Sequence, residues 1–185
     1  MIWSDIPGWF DWTDIYDDWA RRSDETTRIV EVGVWRGRSI AYLGSKLREL
    51  WKFPKLLGVD SWEPSEVLEL KSHQDEAGGA LRVFAEALGN ISTCGLSRWV
   101  LLHRECSVDA AARLPLSSVD FCFIDGDHSY ESVLSDIEAW TPKMRAGGQM
   151  AGHDYTDNWP GVRRAVDEFF KHRARLVGNC WVVDF

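Results

Sequence analysis

Asp125, Asp127 and His128 crowd the end of the apolar run Val119 to Ile124, and His153 and Asp154 directly follow the run that ends at Gly152. Carboxylates and imidazoles are the side chains that most often move protons, and groups just past the ends of neighbouring strands converge. Asp125 and Asp154 are therefore expected to serve one reacting centre, with Asp127 or His153 as its base. Earlier in the chain, Glu31-Val32-Gly33-Val34-Trp35-Arg36-Gly37-Arg38-Ser39 holds two glycines that permit a sharp turn and the close approach of a ligand to a helix N-terminus. The turn lacks a full Gly-x-Gly-x-x-Gly, and a glycine turn between strand and helix is often only structural. Asp60 ends the next apolar run, 29 residues after Glu31. A carboxylate there can accept hydrogen bonds from a ribose, or it can cap a turn.

These residues need elements to position them. Ile29 to Gly33 reads as a strand, and Ile40, Leu43, Leu47, Leu50 and Trp51 form one face of the helix that follows. Leu56 to Asp60 is a second strand. A polar stretch from Ser61 to Glu76 precedes a helix whose apolar face is Leu81, Phe84, Leu88 and Ile91. Trp99 to His103 makes a third strand, Ser107 is placed to cap a short Ala-rich helix, and Val119 to Ile124 is the fourth strand. Tyr130, Val133, Leu134 and Ile137 mark the next helix. A Gly147-Gly148 turn is expected to start a fifth strand ending at Gly152, and Val162, Ala165, Val166, Phe169 and Phe170 stripe the helix after it. Two last strands flank Gly178-Asn179, a hairpin signal that makes the final strand antiparallel. The pattern predicts an α/β fold: a mostly parallel sheet covered by helices on both faces, with ligands at the carboxyl ends of its strands.

Composition narrows the functions this frame can serve. A chain of 185 residues with 45% hydrophobic and 27% charged residues is read as one globular domain. It has no apolar run of about 18 residues, so no membrane span is expected. The start, Met1-Ile2-Trp3-Ser4-Asp5, is acidic where a signal peptide is basic, which predicts a cytoplasmic protein. A net charge of −8 disfavours a nonspecific grip on nucleic acid and points to small-molecule partners. Cys94, Cys106, Cys122 and Cys180 are too widely spaced for a zinc knuckle or redox pair and are read as reduced thiols. His73, His103 and His172 lie outside the motif blocks and are read as surface or packing residues. Neither a Gly-x-Ser-x-Gly elbow nor a Walker lysine motif is present, against hydrolase and kinase chemistry.

Taken together, three blocks resemble the class I S-adenosylmethionine-dependent methyltransferases, in particular the small-molecule O-methyltransferases. They are Val30 to Ser39, Leu57-Gly58-Val59-Asp60-Ser61-Trp62, and Asp120 to Tyr130 with its Ile-Asp-Gly-Asp-His-Ser-Tyr core, running on to Gly147-Gly148 and His153-Asp154-Tyr155. The resemblance implies a Rossmann-like, doubly wound, mostly parallel seven-stranded sheet with a C-terminal antiparallel hairpin strand. It implies that Glu31, Gly33 and Gly37 line the methionine end of the cofactor, with a hydroxyl contact from Ser39. Asp60 and Ser61 then fall at the ribose, Cys106 and Ser107 at the adenine, and Asp125 beside the cofactor as well. In related metal-dependent enzymes, acids at the positions of Asp125 and of residues 153 and 154 bind a divalent cation, which here implies Asp125, His153 and Asp154. Because His153 replaces an acid, the donor set suits a transition metal better than magnesium. A second reading leaves these residues hydrogen-bonding loops and cofactor with no metal.

The expected reaction moves the cofactor's methyl group to a small-molecule acceptor, with a hydroxyl as the nucleophile. Two rival classes stand beside it: a dinucleotide-dependent oxidoreductase, disfavoured by the incomplete glycine fingerprint and the closing hairpin, and a non-catalytic cofactor-binding interaction protein. The unusual count is 11 Trp, four of them in the first twenty residues. Trp9, Trp12, Tyr16 and Trp19 recur at helical spacing, with Asp11, Asp14, Asp17 and Asp18 largely opposite. Residues 1–27 are thus read as an aromatic helical segment apart from a methyltransferase domain at 28–185. Its aromatic face must be buried as a lid on the pocket, by packing on the sheet, or between copies in a homo-oligomer.

Overall fold

The structure, a computed structural model, describes residues 2–63 and 79–185, and the side chain of Ala80 is outside the description. Five parallel strands form its centre: β1 (Arg28–Val32), β2 (Lys55–Asp60), β3 (Val100–Arg104), β4 (Val119–Ile124) and β5 (Met144–Gly152). β6 (Arg175–Val177) and β7 (Cys180–Asp184) complete a sheet of order β3-β2-β1-β4-β5-β7-β6, with β7 antiparallel to both neighbours. The strand order reverses between β1 and β4, which opens a crevice at the carboxyl ends of these two strands.

Alternation along the strands assigns each face its helices. Ile29, Phe121 and Phe123 point into one core with α1 (Thr13–Arg22), α2 (Arg38–Glu49) and α3 (Ala80–Thr93). Val30, Cys122 and Ile124 point into the other with α4 (Ser107–Arg113), α5 (Tyr130–Trp140) and α6 (Pro160–Phe170). The doubly wound architecture and the antiparallel closing hairpin are as the sequence pattern implies. No helix among the described residues is long and apolar enough to cross a membrane.

Several boundaries differ from the sequence reading. Leu50 and Trp51 lie past the end of α2, and Trp51 is 83% exposed. On α3 the buried face is Val83, Ala87 and Ile91, while Leu81 and Leu88 are exposed. Gly147 and Gly148 do not start β5; they sit inside it, in a bulge where Asp120 of β4 faces Arg145 to Gly148. The bulge is held from the far side, where Gly147 N–H donates to Phe185 O and Phe185 N–H to Gly148 O. Ser107 is the first helical residue of α4 and Cys106 its N-cap; the Ser107 hydroxyl instead accepts from Trp140 Nε1 at 2.8 Å. Most of the polar stretch from Ser61 to Glu76, and His73 with it, lies outside the described residues. His103 and His172 are exposed.

At the N-terminus the helix begins at Thr13, so Trp9 precedes it and Trp12 is its N-cap. Trp12 stacks on Phe123 at 4.9 Å and Trp19 on Phe121 at 5.1 Å, so α1 packs into the same apolar cluster as the sheet. Trp19 is fully buried, and its Nε1 donates to Gln149 Oε1 at 2.6 Å, satisfying a buried amide. Replacing Trp19 by Ala should cost about 3–5 kcal/mol, as large aromatic truncations do. Trp19→Phe, which keeps the stack but leaves Gln149 Oε1 without its donor, should cost about 1–3 kcal/mol. Urea unfolding of the two variants checks both the size and the order.

Candidate active site

A cleft of roughly 1020 Å³ runs along the carboxyl ends of β2, β1, β4 and β5. Its floor is the Gly33 to Ser39 turn. Gly33 has φ +86°, and a side chain there would place its first carbon 2.0 Å from Asp125 O, so only glycine lets the ends of β1 and β4 come this close. Gly37, the N-cap of α2, also has a positive φ but packs toward Ile91 and does not line the cleft. Glu31 does not line it either. Alternation turns its side chain to the α1 and α2 face, where it is 1% exposed and accepts from Tyr16 OH at 2.6 Å and Ser39 Oγ at 2.7 Å. Burial raises its carboxyl to about 8 against the opposing pull of these two hydroxyls. Ser39 itself reaches the cleft and links it to Glu31.

Asp60 closes the turn from β2. Its Oδ2 accepts from the N–H groups of Val34 and Trp35, both at 2.9 Å, and its Oδ1 from that of Trp62 at 2.7 Å. Burial raises its pKa, and these three bonds oppose the rise. Trp35 and Trp62 both have φ +47°, an uncommon conformation for bulky residues, and Asp60 bonds the backbone at each. Ser61, Cys106 and Ser107 line the same end of the cleft, and the Cys106 thiol is exposed.

At the other end the reacting groups meet. Asp125, Asp127, His128, His153 and Asp154 all line the cleft. Asp127 Oδ1 accepts from Ser129 N–H at 2.7 Å, which shapes the turn into α5. His128 Nε2 lies 2.6 Å from Asp154 Oδ2, and its ring stacks on Trp159 at 4.1 Å. His153 Nδ1 stands 3.2 Å from Asp154 Oδ2 and 3.8 Å from Asp125 Oδ1. Its Nε2 faces Asp11 Oδ1 at 2.9 Å, a charge contact without hydrogen-bond alignment.

These contacts separate the groups' acidities. Burial raises Asp125 to about 7 although the His153 charge draws it down. Burial would lower His153, yet the hydrogen bond to Asp154 and the charges of Asp125 and Asp154 bring it to about 9. Asp154, despite a burial effect that raises it, is held well below the usual carboxylate range by His128 and His153. Among the described residues, ligand atoms of Asp125, His128 and Asp154 come within 4.8 Å of one another. His128 thus joins the Asp125, His153 and Asp154 of the sequence reading, while His153 keeps its Nδ1 toward Asp154 and Asp125 and packs against Trp12 at 4.6 Å.

The sequence reading gave Trp12 a place over the pocket only as one of three burial options and did not place Asp11, Trp35 or Trp159 in the site, yet all four line the cleft. Trp35 stands between the two glycines and was legible as a wall of the turn. Asp11 carried no local signal, because only the docking of α1 brings it to the strand ends.

A doubly wound sheet with a cleft at its switch point, a carboxylate at the end of β2 and an acid–imidazole cluster past β4 and β5 defines an enzyme of the cofactor-binding α/β class. The family model for a methyltransferase domain matches residues 30–155, so the chain belongs to that family and is a class I S-adenosylmethionine-dependent methyltransferase. No curated protein sequence matches it. Among solved structures it resembles the O-methyltransferase NovP, with 19% identity and a TM-score of 0.69 over 92% of this chain and 78% of that one. It also resembles CalS11, a TDP-rhamnose 3′-O-methyltransferase, at 19% identity and a TM-score of 0.60 over 94% and 79%. Cofactor-bound Rv0187 from MTB is similar at 14% identity and a TM-score of 0.65 over 97% and 84%. At these identities the likeness is one of fold.

The buried Glu31 makes stability depend on pH. Its folded value of about 8 lies above the ordinary 4.5 of an unfolded chain, so between them the native state holds a proton that the unfolded state has released. Stability should therefore fall as pH rises through that window, by on the order of a few kcal/mol. Urea unfolding at pH 5 and pH 8 measures the fall, and Glu31→Gln should shrink it.

Proposed function

We propose that the protein methylates a hydroxyl of a small molecule, with Asp125 accepting the hydroxyl proton. The observation that carries this reading is the state of Asp125, a cleft-lining carboxylate whose pKa of about 7 suits a base working near neutrality. His153, at about 9, is already protonated there and acts by charge, and Asp127 is engaged with the Ser129 backbone. The oxygen acceptor draws further support from NovP and CalS11, whose names describe O-methyltransferases.

The cleft fits the cofactor. Asp60 Oδ1 has accepted one N–H, and an ionised carboxylate has about four lone-pair sites, so it retains capacity for a ribose hydroxyl. In this reading Asp60 and Ser61 hold the ribose, Cys106 and Ser107 flank the adenine, and Gly33 and Ser39 meet the methionine end. Glu31 acts through Ser39 as a positioning residue, and Gly37 shapes the helix start. When bound, the cofactor supplies a methyl group on a sulfonium, an electrophile that needs no further activation. The chain's own contribution is to align the acceptor, exclude water with Trp12 and Trp35, and take one proton at Asp125 Oδ1 or Oδ2.

A divalent ion is the second reading, favoured by the convergence of Asp125, His128 and Asp154. These three would hold it, and it would lower the pKa of the acceptor hydroxyl. The mixed donor set suits a transition metal. Residues 8–12 are read as the roof of the cleft, anchored by α1 and tied down where Arg38 Nη1 donates to Ile6 O and Gly8 O, both at 3.0 Å. In the division into 1–27 and 28–185, the first segment then supplies roof and anchor rather than a separate body. The free thiols agree with a cytoplasmic setting.

Turnover of methyl-labelled S-adenosylmethionine against a library of hydroxylated metabolites tests the reading. Asp125→Asn should lower kcat by about 10²–10⁴-fold, and the wild-type rate should rise with pH through about 7. Full activity in the variant would remove Asp125 as the base. A chelator should leave the rate unchanged; a loss restored by Mn²⁺ would assign the three ligands to an ion instead. Asp60→Ala should weaken S-adenosylhomocysteine by at least about 1–3 kcal/mol in calorimetry, since three backbone N–H groups lose their acceptor as well. Unchanged affinity would take Asp60 out of the site.

A further inference from the structure

We propose that Asp136 reads the purine of the cofactor, its carboxylate accepting a hydrogen bond from the exocyclic 6-amino group and so admitting adenine while rejecting hypoxanthine. The inference rests on the methyltransferase reading above and adds a residue to which the sequence reading gave no role. Asp136 lines the cleft yet is only 8% exposed. Among the described residues Glu31 and Asp136 are the two buried acids, and their surroundings differ. Glu31 is satisfied by two hydroxyls from neighbouring elements. Asp136 has the Ser107 hydroxyl beside it and no Arg, Lys or His paired with it.

Its position follows from the helix. Ser132, Asp136 and Trp140 recur every four residues and share one face of α5. Trp140 Nε1 donates to Ser107 Oγ at 2.8 Å, which holds that face against the start of α4 and leaves the hydroxyl proton of Ser107 for Asp136. Cys106, Ser107, Ser132 and Asp136 thereby line the cleft together, where the end of β3 feeds α4, while the acid–imidazole cluster follows β4 and β5. Gly126 leaves room at the foot of the carboxylate, since an added carbon there would meet nothing nearer than Asp136 Oδ2, at 3.7 Å. A flat ring fits that space.

The chemistry selects the ring. Burial raises the Asp136 carboxyl to about 6 against the pull of Ser107, so near neutrality the group is mostly ionised and can only accept. A buried carboxylate with one donor is costly, and a ligand that brings N–H groups offsets the cost. The 6-amino group of adenine supplies them without adding charge. Hypoxanthine carries a carbonyl at the same place and would set one acceptor against another.

Calorimetry on the full chain with S-adenosylhomocysteine and S-inosylhomocysteine tests the assignment. The wild type should bind the adenosyl compound about 100-fold tighter or better. Asp136→Asn, which keeps the shape and can turn its amide N–H toward the carbonyl, should cut the ratio to about tenfold or less, weakening the adenosyl compound and strengthening the inosyl one. A merely structural role would weaken both ligands alike and leave the ratio as it was. Equal affinities in the wild type, or an unchanged ratio in Asp136→Asn, would overturn the role of Asp136 while the methyltransferase reading stands. If S-adenosylhomocysteine itself fails to bind the wild type, both fall together.

Discussion

The hydrogen bond that Tyr16 donates to Glu31 joins the N-terminal helix to the central strand, and much of the site's geometry follows from it. A carboxyl group buried without hydrogen-bond partners would be costly, but this one has Tyr16 from α1 and Ser39 from α2, so three elements are pinned around one group. Once α1 is held there, Trp12 and Trp19 stack on Phe123 and Phe121 and cover the middle of the sheet. The residues just before α1 must then cross the strand ends. That crossing brings Asp11 to His153 and makes residues 8–12 part of the cleft.

The cofactor side is built on the same economy of groups. Asp60 organises the turn above β1 by accepting three backbone N–H bonds, and two of these hold Trp35 and Trp62, whose backbone conformations are strained. Trp62 Nε1 in turn donates to Trp35 O at 2.8 Å, so the two strained residues brace each other. A further non-glycine residue with positive φ is Asp154, in the acid–imidazole cluster. Strained backbone thus occurs at both ends of the cleft, as it does at Trp51, Ser117 and Lys171 away from it.

In that cluster the division of labour is electrostatic. Three carboxyl groups and two imidazoles share a small volume, and their positions separate acidities that would otherwise coincide. Asp154, contacted by both imidazoles, stays ionised; Asp125, only flanked by His153 and raised by burial, is left with a pKa of about 7. Two residues of one type thus serve different roles.

Local patterns in the sequence determined the elements and the order in which they wind. Strand alternation, helical spacing and the Gly178-Asn179 hairpin depend on neighbours in the chain, and the acids at the strand ends were legible because a parallel sheet gathers those ends. Leu81, Leu88 and Trp51 misled for the opposite reason: apolar spacing indicates that a face exists but not which helix will cover it. Only the tertiary structure decided that His128 joins His153 at Asp154, since the meeting rests on where the turn after β4 places the His128 ring against Trp159. It likewise decided that Glu31 stands behind the cleft wall and that the N-terminal aromatics are core as well as wall. Those outcomes depend on contacts between residues far apart in the chain, whose distances no local periodicity encodes.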